Sequence, residues 1–388
     1  MKRRILIEYS VFIAVSALFL SVAFAAGYFI RGAGIVERSD AGTPVLDQVR
    51  VLLSAHYLGE LPIEKDLEYA MIRGLVAAIE DPFTAFVEPA AHEIESEQLA
   101  GVFGGVGVTL SRNEHMDLVL DVTPRGPAEA AGVREGDRLL NVDELPVGAE
   151  MALEEVAALI RGPVGSEVRL TLRHRGEAET FTLTMQRIST EIPSVEWRLA
   201  DEDLTVGVIS ISRFSVKTPE EVRAALSDLL ARGATKIVLD LRNNGGGLLE
   251  SGVEVAGLFV DGGLVMYEQR QGEPEQTVEA KGEPAGALVP LAVLVNDGTA
   301  SAAEVVAGAL NQRGRAPLIG QRTFGKGSVQ SIFDLQDGSS LHVTSARWYT
   351  PDRTPLDGRG LPPTVAVEPA ADGRDAELRA ALEFLSSE

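Results

Sequence analysis

Ser301 lies in a stretch whose turn and helix signals could turn a hydroxyl into a nucleophile. The apolar run 291–295 is short and β-branched, so it reads as a buried strand. Asn296-Asp297-Gly298 is turn chemistry, and Val305, Val306, Ala309 and Leu310 then recur at helical spacing. Strand, tight turn and helix put Ser301 on a helical first turn, where backbone N–H groups are unpaired and the dipole is positive. An oxyanion formed there meets donors that are already fixed. A serine at a helix start is also a common cap, so this stretch alone leaves both roles open.

A second stretch, Thr323-Phe324-Gly325-Lys326-Gly327-Ser328-Val329-Gln330, sets a lysine between glycines and runs into a β-like segment, 329–335. On its own Lys326 reads as a solvated turn lysine. A third, Asp240-Leu241-Arg242-Asn243-Asn244-Gly245-Gly246-Gly247, follows an apolar strand. Glycines at that place let N–H groups approach a ligand closely. The loop lacks the Lys-Ser/Thr ending of a phosphate loop and the G-x-G-x-x-G spacing, which disfavours nucleotide binding.

In this order the three stretches resemble the carboxyl-terminal processing peptidases, or tail-specific proteases, which use a serine–lysine dyad. The family's Ser-Ala-Ser-Ala-Ser-Glu run reads here Thr299-Ala300-Ser301-Ala302-Ala303-Glu304, with Ser301 at the nucleophile. Its Thr-Phe-Gly-Lys-Gly-x-Val-Gln run is matched in full, which implies Lys326 as base and Gln330 as its support. The loop Asp240 to Gly247 corresponds to the family's oxyanion loop, with Gly245 at its usual proline. The resemblance covers residues 44–385. It implies an oxyanion received by the N–H of Ala302 and of Gly246 or Gly247, and needs no metal or organic cofactor.

Such a mechanism makes a demand on the lysine. An ordinary lysine titrates near 10.4, so only about 0.04% is neutral at pH 7. A working base needs a pKa nearer 7–8, so the fold must disfavour the charge by roughly 3–4 kcal/mol. Lys326 is therefore expected to be desolvated, with no carboxylate beside it and the neutral Gln330 orienting the amine.

The composition is compatible with this. A chain of 388 residues holds two or three domains, and 45% hydrophobic with 5% aromatic residues suits an aliphatic core. The balance 35 − 57 = −22 disfavours nucleic acid as a partner. There is no cysteine, which excludes disulfides, thiolate zinc sites and a cysteine nucleophile. The five histidines are His56, His92, His115, His174 and His342, and none lies in the three motifs. A Ser-His-Asp triad would have to recruit His342 or His115 through space.

The positioning elements follow in chain order. Lys2, Arg3 and Arg4 precede an apolar segment, 5–30, uncharged from Tyr9 onward, which reads as a signal anchor or a signal peptide with Ala23-Phe24-Ala25 as cleavage site. Either places the remainder on the exported, periplasmic side of a bacterial inner membrane. Residues 31–97 form a region that reads as helical from 44 onward, with Val45, Val49, Leu52 and Leu53 on one face. Within it Asp81-Pro82-Phe83-Thr84 alters the family's usual Asp-Pro-His-Ser, and a packing role is expected there.

Residues 98–187 resemble a PDZ domain of the protease type, through Pro127-Ala128-Glu129-Ala130-Ala131-Gly132-Val133-Arg134-Glu135-Gly136-Asp137. Helix 151–160 and strands 168–172 and 181–185 are expected. The resemblance implies that an extended C-terminal peptide is held at Phe103, Gly104, Gly105, Val106 and Gly107. From 188 to 388 the pattern is alternating α/β, with a surface excursion at 270–287 and a closing helix at 375–385. The expected fold is thus a multidomain α/β and α+β chain with a crotonase/ClpP-like protease core.

The expected function is an exported serine endopeptidase that takes proteins by apolar C-terminal tails and cuts them with Ser301 and Lys326. An activating adaptor and a homo-oligomer, such as a dimer, are compatible partners. The PDZ domain could recruit substrate or block the site. The alternatives are an inactive exported PDZ scaffold and an acyl-CoA-type enzyme. The intact catalytic set opposes the first; the PDZ module and export signal oppose the second.

Overall fold

The computed structural model describes residues 43–387 except 125, 149, 282–283 and 371–373. The expected anchor or signal segment, 5–30, lies outside the described residues. No helix among the described residues is long and apolar enough to cross a membrane. The chain divides after Ala70 into two compact units. In the first, helix α1 (Pro44–His56) has Val45, Val49, Leu52 and Leu53 exposed, and Arg50 pairs with Glu64 at 3.0 Å.

Helix α2 (Glu64–Ala77) is followed by β1 (Ala85–Val87) and α3 (Pro89–Ala100). The strand interrupts the helical reading of 44–97. Pro82 disfavours helix before it, and the segment pairs antiparallel with a distant strand, Ala85 opposite His342.

The next elements are β2 (Val102–Gly105), β3 (Val108–Arg112), β4 (Leu118–Val122), α4 (Pro127–Ala130), β5 (Asp137–Val142), β6 (Leu145–Pro146), α5 (Leu153–Ile160), β7 (Glu167–Arg173), β8 (Phe181–Gln186) and β9 (Ile188–Glu191). Strands β3, β4, β5, β7 and β8 form a sheet in that order, β6 pairing with β5, and β3 lies at its edge. Along β7 every second side chain, Val168, Leu170 and Leu172, is buried, so one face closes on Leu118, Leu120, Leu139 and Val156 of α5. Helix α5 starts at Leu153 rather than 151 because Ala152 is extended. A separate antiparallel ribbon, β2 with β9, carries the chain in and out.

The remainder is built from β10 (Val195–Leu199), β11 (Val206–Ile211), α6 (Thr218–Ala231), β12 (Lys236–Asp240), α7 (Leu249–Phe259), β13 (Leu264–Arg270), β14 (Gln276–Glu279), β15 (Leu291–Val295), α8 (Ala302–Gln312), β16 (Leu318–Gly320), β17 (Ser328–Asp334), β18 (Ser340–Tyr349), β19 (Val365–Ala366) and α9 (Ala376–Ser387). The central sheet has the order β10-β11-β12-β15-β16-β19, parallel except for β10 against β11. All five residues of β15 are buried, as a parallel strand covered on both faces requires. Leu291, Val293 and Val295 join the core with α6, α7 and α8; Ala292 and Leu294 join the one with α9.

A second sheet, β1-β18-β13-β14 with β17 on β18, stands beside it. Part of the expected excursion at 270–287 is therefore strand: Gln276–Glu279 finds its partner in β13, where Thr277 faces Tyr267.

Candidate active site

Ser301 closes the turn between β15 and α8 with φ 55° and ψ −120°, a left-handed conformation that an L-residue holds only under constraint. The constraint comes from its neighbours. Ala300 N–H donates to Asn244 O at 2.9 Å, Phe324 N–H donates to Thr299 O at 3.0 Å, and Ser301 N–H donates to Glu304 Oε2 at 3.0 Å. Thr299, where the family run has serine, keeps a hydroxyl that is fully buried and donates to Leu241 O at 2.8 Å. Ala303 is buried in the core and needs no hydroxyl.

The glycine loop leaves β12 alongside. Asn244 is fully buried; its Nδ2 donates to Ile211 O at 2.8 Å and its Oδ1 accepts the Gly246 N–H at 2.9 Å. Asn243, itself at φ 58°, exchanges hydrogen bonds of 2.8 and 2.9 Å with Asn296 and so ties the two loops together. Gly246 passes directly over the elbow: a Cβ there would lie 2.8 Å from Ser301 Cβ and 3.2 Å from Ala302 N. Of the two glycines expected to offer an N–H, Gly246 has turned its own toward Asn244. The N–H groups of Gly247 and Ala302 have no hydrogen-bond partner among the described residues.

Lys326 is half-buried on the loop into β17. Its Nζ donates to Gln330 Oε1 at 2.6 Å and lies 4.9 Å from the centre of the Phe83 ring. Gln330 Nε2 donates to the Phe83 carbonyl, which fixes the amide so that its oxygen faces the amine. No hydrogen bond joins Lys326 Nζ to Ser301 among the described residues. Burial pushes the lysine below its ordinary pKa, against the opposing pull of Glu95 and then Asp81. No carboxylate forms an ion pair with Nζ among the described residues; Glu95 and Asp81 act on the amine only through space, and burial outweighs them.

Ser301, Lys326, Gln330, Gly246 and Gly247 line one cleft of about 740 Å³, with apolar walls from Ile94, Leu248, Ile332 and Trp348. His342 lines it too, its Nε2 3.2 Å from Ser340 Oγ. A second groove, of about 390 Å³, runs between the edge strand β3 and α5. Phe103, Gly105, Val106 and Gly107 border it, while Gly104 does not. Gly104 belongs to the ribbon, where its carbonyl accepts the Gly162 N–H and its N–H donates to Glu97. The Val106 side chain is buried in the domain core, and Gly107, at φ 74°, turns beside Gly126.

Several contributors escape a reading by motif. Phe83 was expected only to pack. Glu304 stands in the nucleophile run without an assigned role, and Trp348 Nε1 donates to Lys326 O at 3.0 Å. The signal for Glu304 was present, since a glutamate three residues after a helix-capping serine is a capping-box pattern.

The profile of peptidase family S41 matches residues 205–367, and that of the PDZ domain residues 118–174. A carboxyl-terminal-processing protease of Picosynechococcus sp. is 35% identical over 334 residues, 84% of this chain and 80% of that protein. The carboxy-terminal processing protease CtpA of Bacillus subtilis is 32% identical over 371 residues, covering 95% and 78%. A solved photosystem II D1 C-terminal processing protease aligns at 33% identity with a TM-score of 0.49, over 84% of this chain and 89% of that one. On the two profiles and on the sequence identity to the Picosynechococcus and Bacillus proteases along most of each chain, the protein belongs to peptidase family S41, among the carboxyl-terminal-processing serine proteases with a PDZ domain.

Proposed function

We propose that the protein is an exported endopeptidase that captures apolar C-terminal tails in the PDZ groove and cuts the chain with a Ser301–Lys326 dyad. The observation that carries this reading is the convergence of Ser301, on its constrained elbow, with Lys326, Gln330 and the glycine loop around one cleft. Neutral Lys326 takes the Ser301 proton as Oγ attacks the peptide carbonyl. The N–H groups of Ala302 and Gly247 receive the oxyanion. The C–N bond then breaks, the leaving amine takes the proton from Lys326, and water, activated by the same amine, hydrolyses the acyl-enzyme. Nζ must leave its present bond with Gln330 enough to reach Ser301, a tightening common when substrate binds.

The PDZ groove suits an added strand, because β3 has an open edge and α5 forms the opposite wall. Export is supported by the basic residues before the apolar segment 5–30. A crotonase/ClpP-like core, an adaptor and a homo-oligomer are parts of the same reading. The test is cleavage of an unstructured protein ending in apolar residues against a copy ending in two aspartates, read by mass spectrometry. Wild type should cut and prefer the apolar tail, while Ser301→Ala and Lys326→Ala should not cut. Full activity in Ser301→Ala sinks the dyad, and equal cutting of both tails sinks tail reading.

A further inference from the structure

We propose that Phe83 is a positioning residue of the catalytic base: its ring roofs the Lys326 amine while its carbonyl sets the amide of Gln330. The inference rests on the reading of Lys326 as base. Phe83 lies far from Lys326 in sequence, yet two independent contacts join them. The ring centre stands 4.9 Å from Nζ, within the range in which an aromatic face attracts an ammonium. The Phe83 carbonyl accepts from Gln330 Nε2, and Gln330 Oε1 accepts from Nζ at 2.6 Å. One residue therefore touches the amine directly and also fixes the amide on its other side.

The segment that carries Phe83 is held rigidly. Asp81 Oδ1 accepts the Phe83 N–H at 3.1 Å and its Oδ2 accepts Thr84 Oγ1 at 2.5 Å. Beyond it, β1 is pinned to β18 with Ala85, Phe86 and Val87 opposite His342, Leu341 and Ser340. The ring is thus part of a fixed wall, and it acts on the amine in two opposed ways. It excludes water, which disfavours the ammonium, and its face attracts the ammonium, which favours it. Glu95 on α3 and Asp81 before β1 act on the amine, and His342 on β18 and Arg213 after β11 line the same cleft. Glu304 meets the Lys326 backbone N–H.

The two actions separate by substitution. Phe83→Leu keeps an apolar roof and removes the aromatic face; Phe83→Ala removes both. The full chain of each variant is assayed for kcat and KM on a tail-bearing peptide from pH 5 to 10. In parallel, the Lys326 side chain is titrated by NMR in a Ser301→Ala background with 13C-labelled lysine. Phe83→Leu should move the acid limb and the Lys326 titration to lower pH, by about half a unit. Phe83→Ala should move both upward, and neutral-pH kcat should fall about tenfold for each unit, with KM within twofold. A limb that stays in place in Phe83→Ala, or moves the same way in both variants, overturns the proposal. If Phe83→Ala does not fold, an unmoved Phe83→Leu titration overturns it alone. Because the NMR titration needs no turnover, it reads the positioning role even where Ser301→Ala shows the nucleophile reading to be wrong.

Discussion

Ser301 and Lys326 are joined through a single buried carboxylate: Glu304 Oε2 accepts the main-chain N–H of Ser301 at 3.0 Å and that of Lys326 at 2.8 Å. Glu304 Oε1 accepts Thr323 Oγ1 at 2.6 Å and the Gly325 N–H at 2.8 Å. The side chain is fully buried, so its four donors replace water completely. The elbow that carries Ser301 and the loop that carries Lys326 are thereby fixed to the same carboxylate.

Glu304→Gln replaces one acceptor oxygen by an NH2 group, which would face N–H donors. The expected outcome is a loss of kcat of about 100-fold or more, as when a reacting group is misplaced by an ångström, with a smaller change in KM. Steady-state kinetics on a folded sample check it. Thr323→Ser, which keeps the hydroxyl that also accepts the Leu361 N–H at 2.7 Å, should retain most activity.

The proposed Ser301–Lys326 dyad should show an acid limb below the ordinary lysine range, since burial lowers Lys326. Glu95 opposes that shift, so Glu95→Gln should move the limb to still lower pH. Gln330→Glu acts in the opposite sense. A carboxylate beside Nζ favours the ammonium, and each pKa unit gained lowers kcat/KM at neutral pH about tenfold, recoverable at high pH. A pH–rate series for the three proteins measures both directions.

Gly246→Ala should abolish most turnover without removing the PDZ groove. Its φ is 103°, and its Cβ would meet Ser301 Cβ at 2.8 Å and Ala300 O at 3.0 Å. Displacing the elbow from its N–H donors is expected to cost about 100-fold or more in kcat. Tail-peptide affinity, measured by calorimetry, should remain within twofold.

The glycine loop also depends on the closing helix. Arg242 bonds to Asp240 at 2.7 Å and to Asp375 at 2.8 Å, with Glu377 at 3.4 Å, and Lys236 Nζ donates to Leu385 O at 2.6 Å. Arg242→Met should destabilise the fold by about 2 kcal/mol, less than a fully buried pair, because Asp375 is 40% exposed. For Asp375, burial raises the pKa, but the bonds from Arg242 and the Leu378 N–H lower it further, so the net shift is downward. Its stabilisation is present above the unfolded value of about 3.9 and is lost as pH falls through the folded one. The thermal difference between wild type and Asp375→Asn should therefore be full at pH 7 and shrink below about pH 4.

Much of this protein was legible along the chain because the interactions that decide it are local. The run 291–310 specifies strand, turn and helix through apolar spacing and turn residues, and so places Ser301 at a helix start. The three motifs, read in order, name the family and its chemistry. The same locality explains the α/β pattern from β11 to α8, since each parallel strand is a continuous apolar run buried on both faces.

What required the tertiary structure was every choice made between distant segments. Ala85–Val87 becomes a strand only because β18 supplies its partner, and Gln276–Glu279 only because β13 does. Spacing cannot tell which glycine N–H is spent within its own loop, and Asn244 decides that by taking Gly246. Nor can it show that the carbonyl of Phe83, 247 residues before Gln330, holds the amide of Gln330, or that one glutamate holds the main chains of both Ser301 and Lys326. Propensity and pattern act over a few residues, whereas desolvation and hydrogen-bond satisfaction belong to whatever the completed fold brings together.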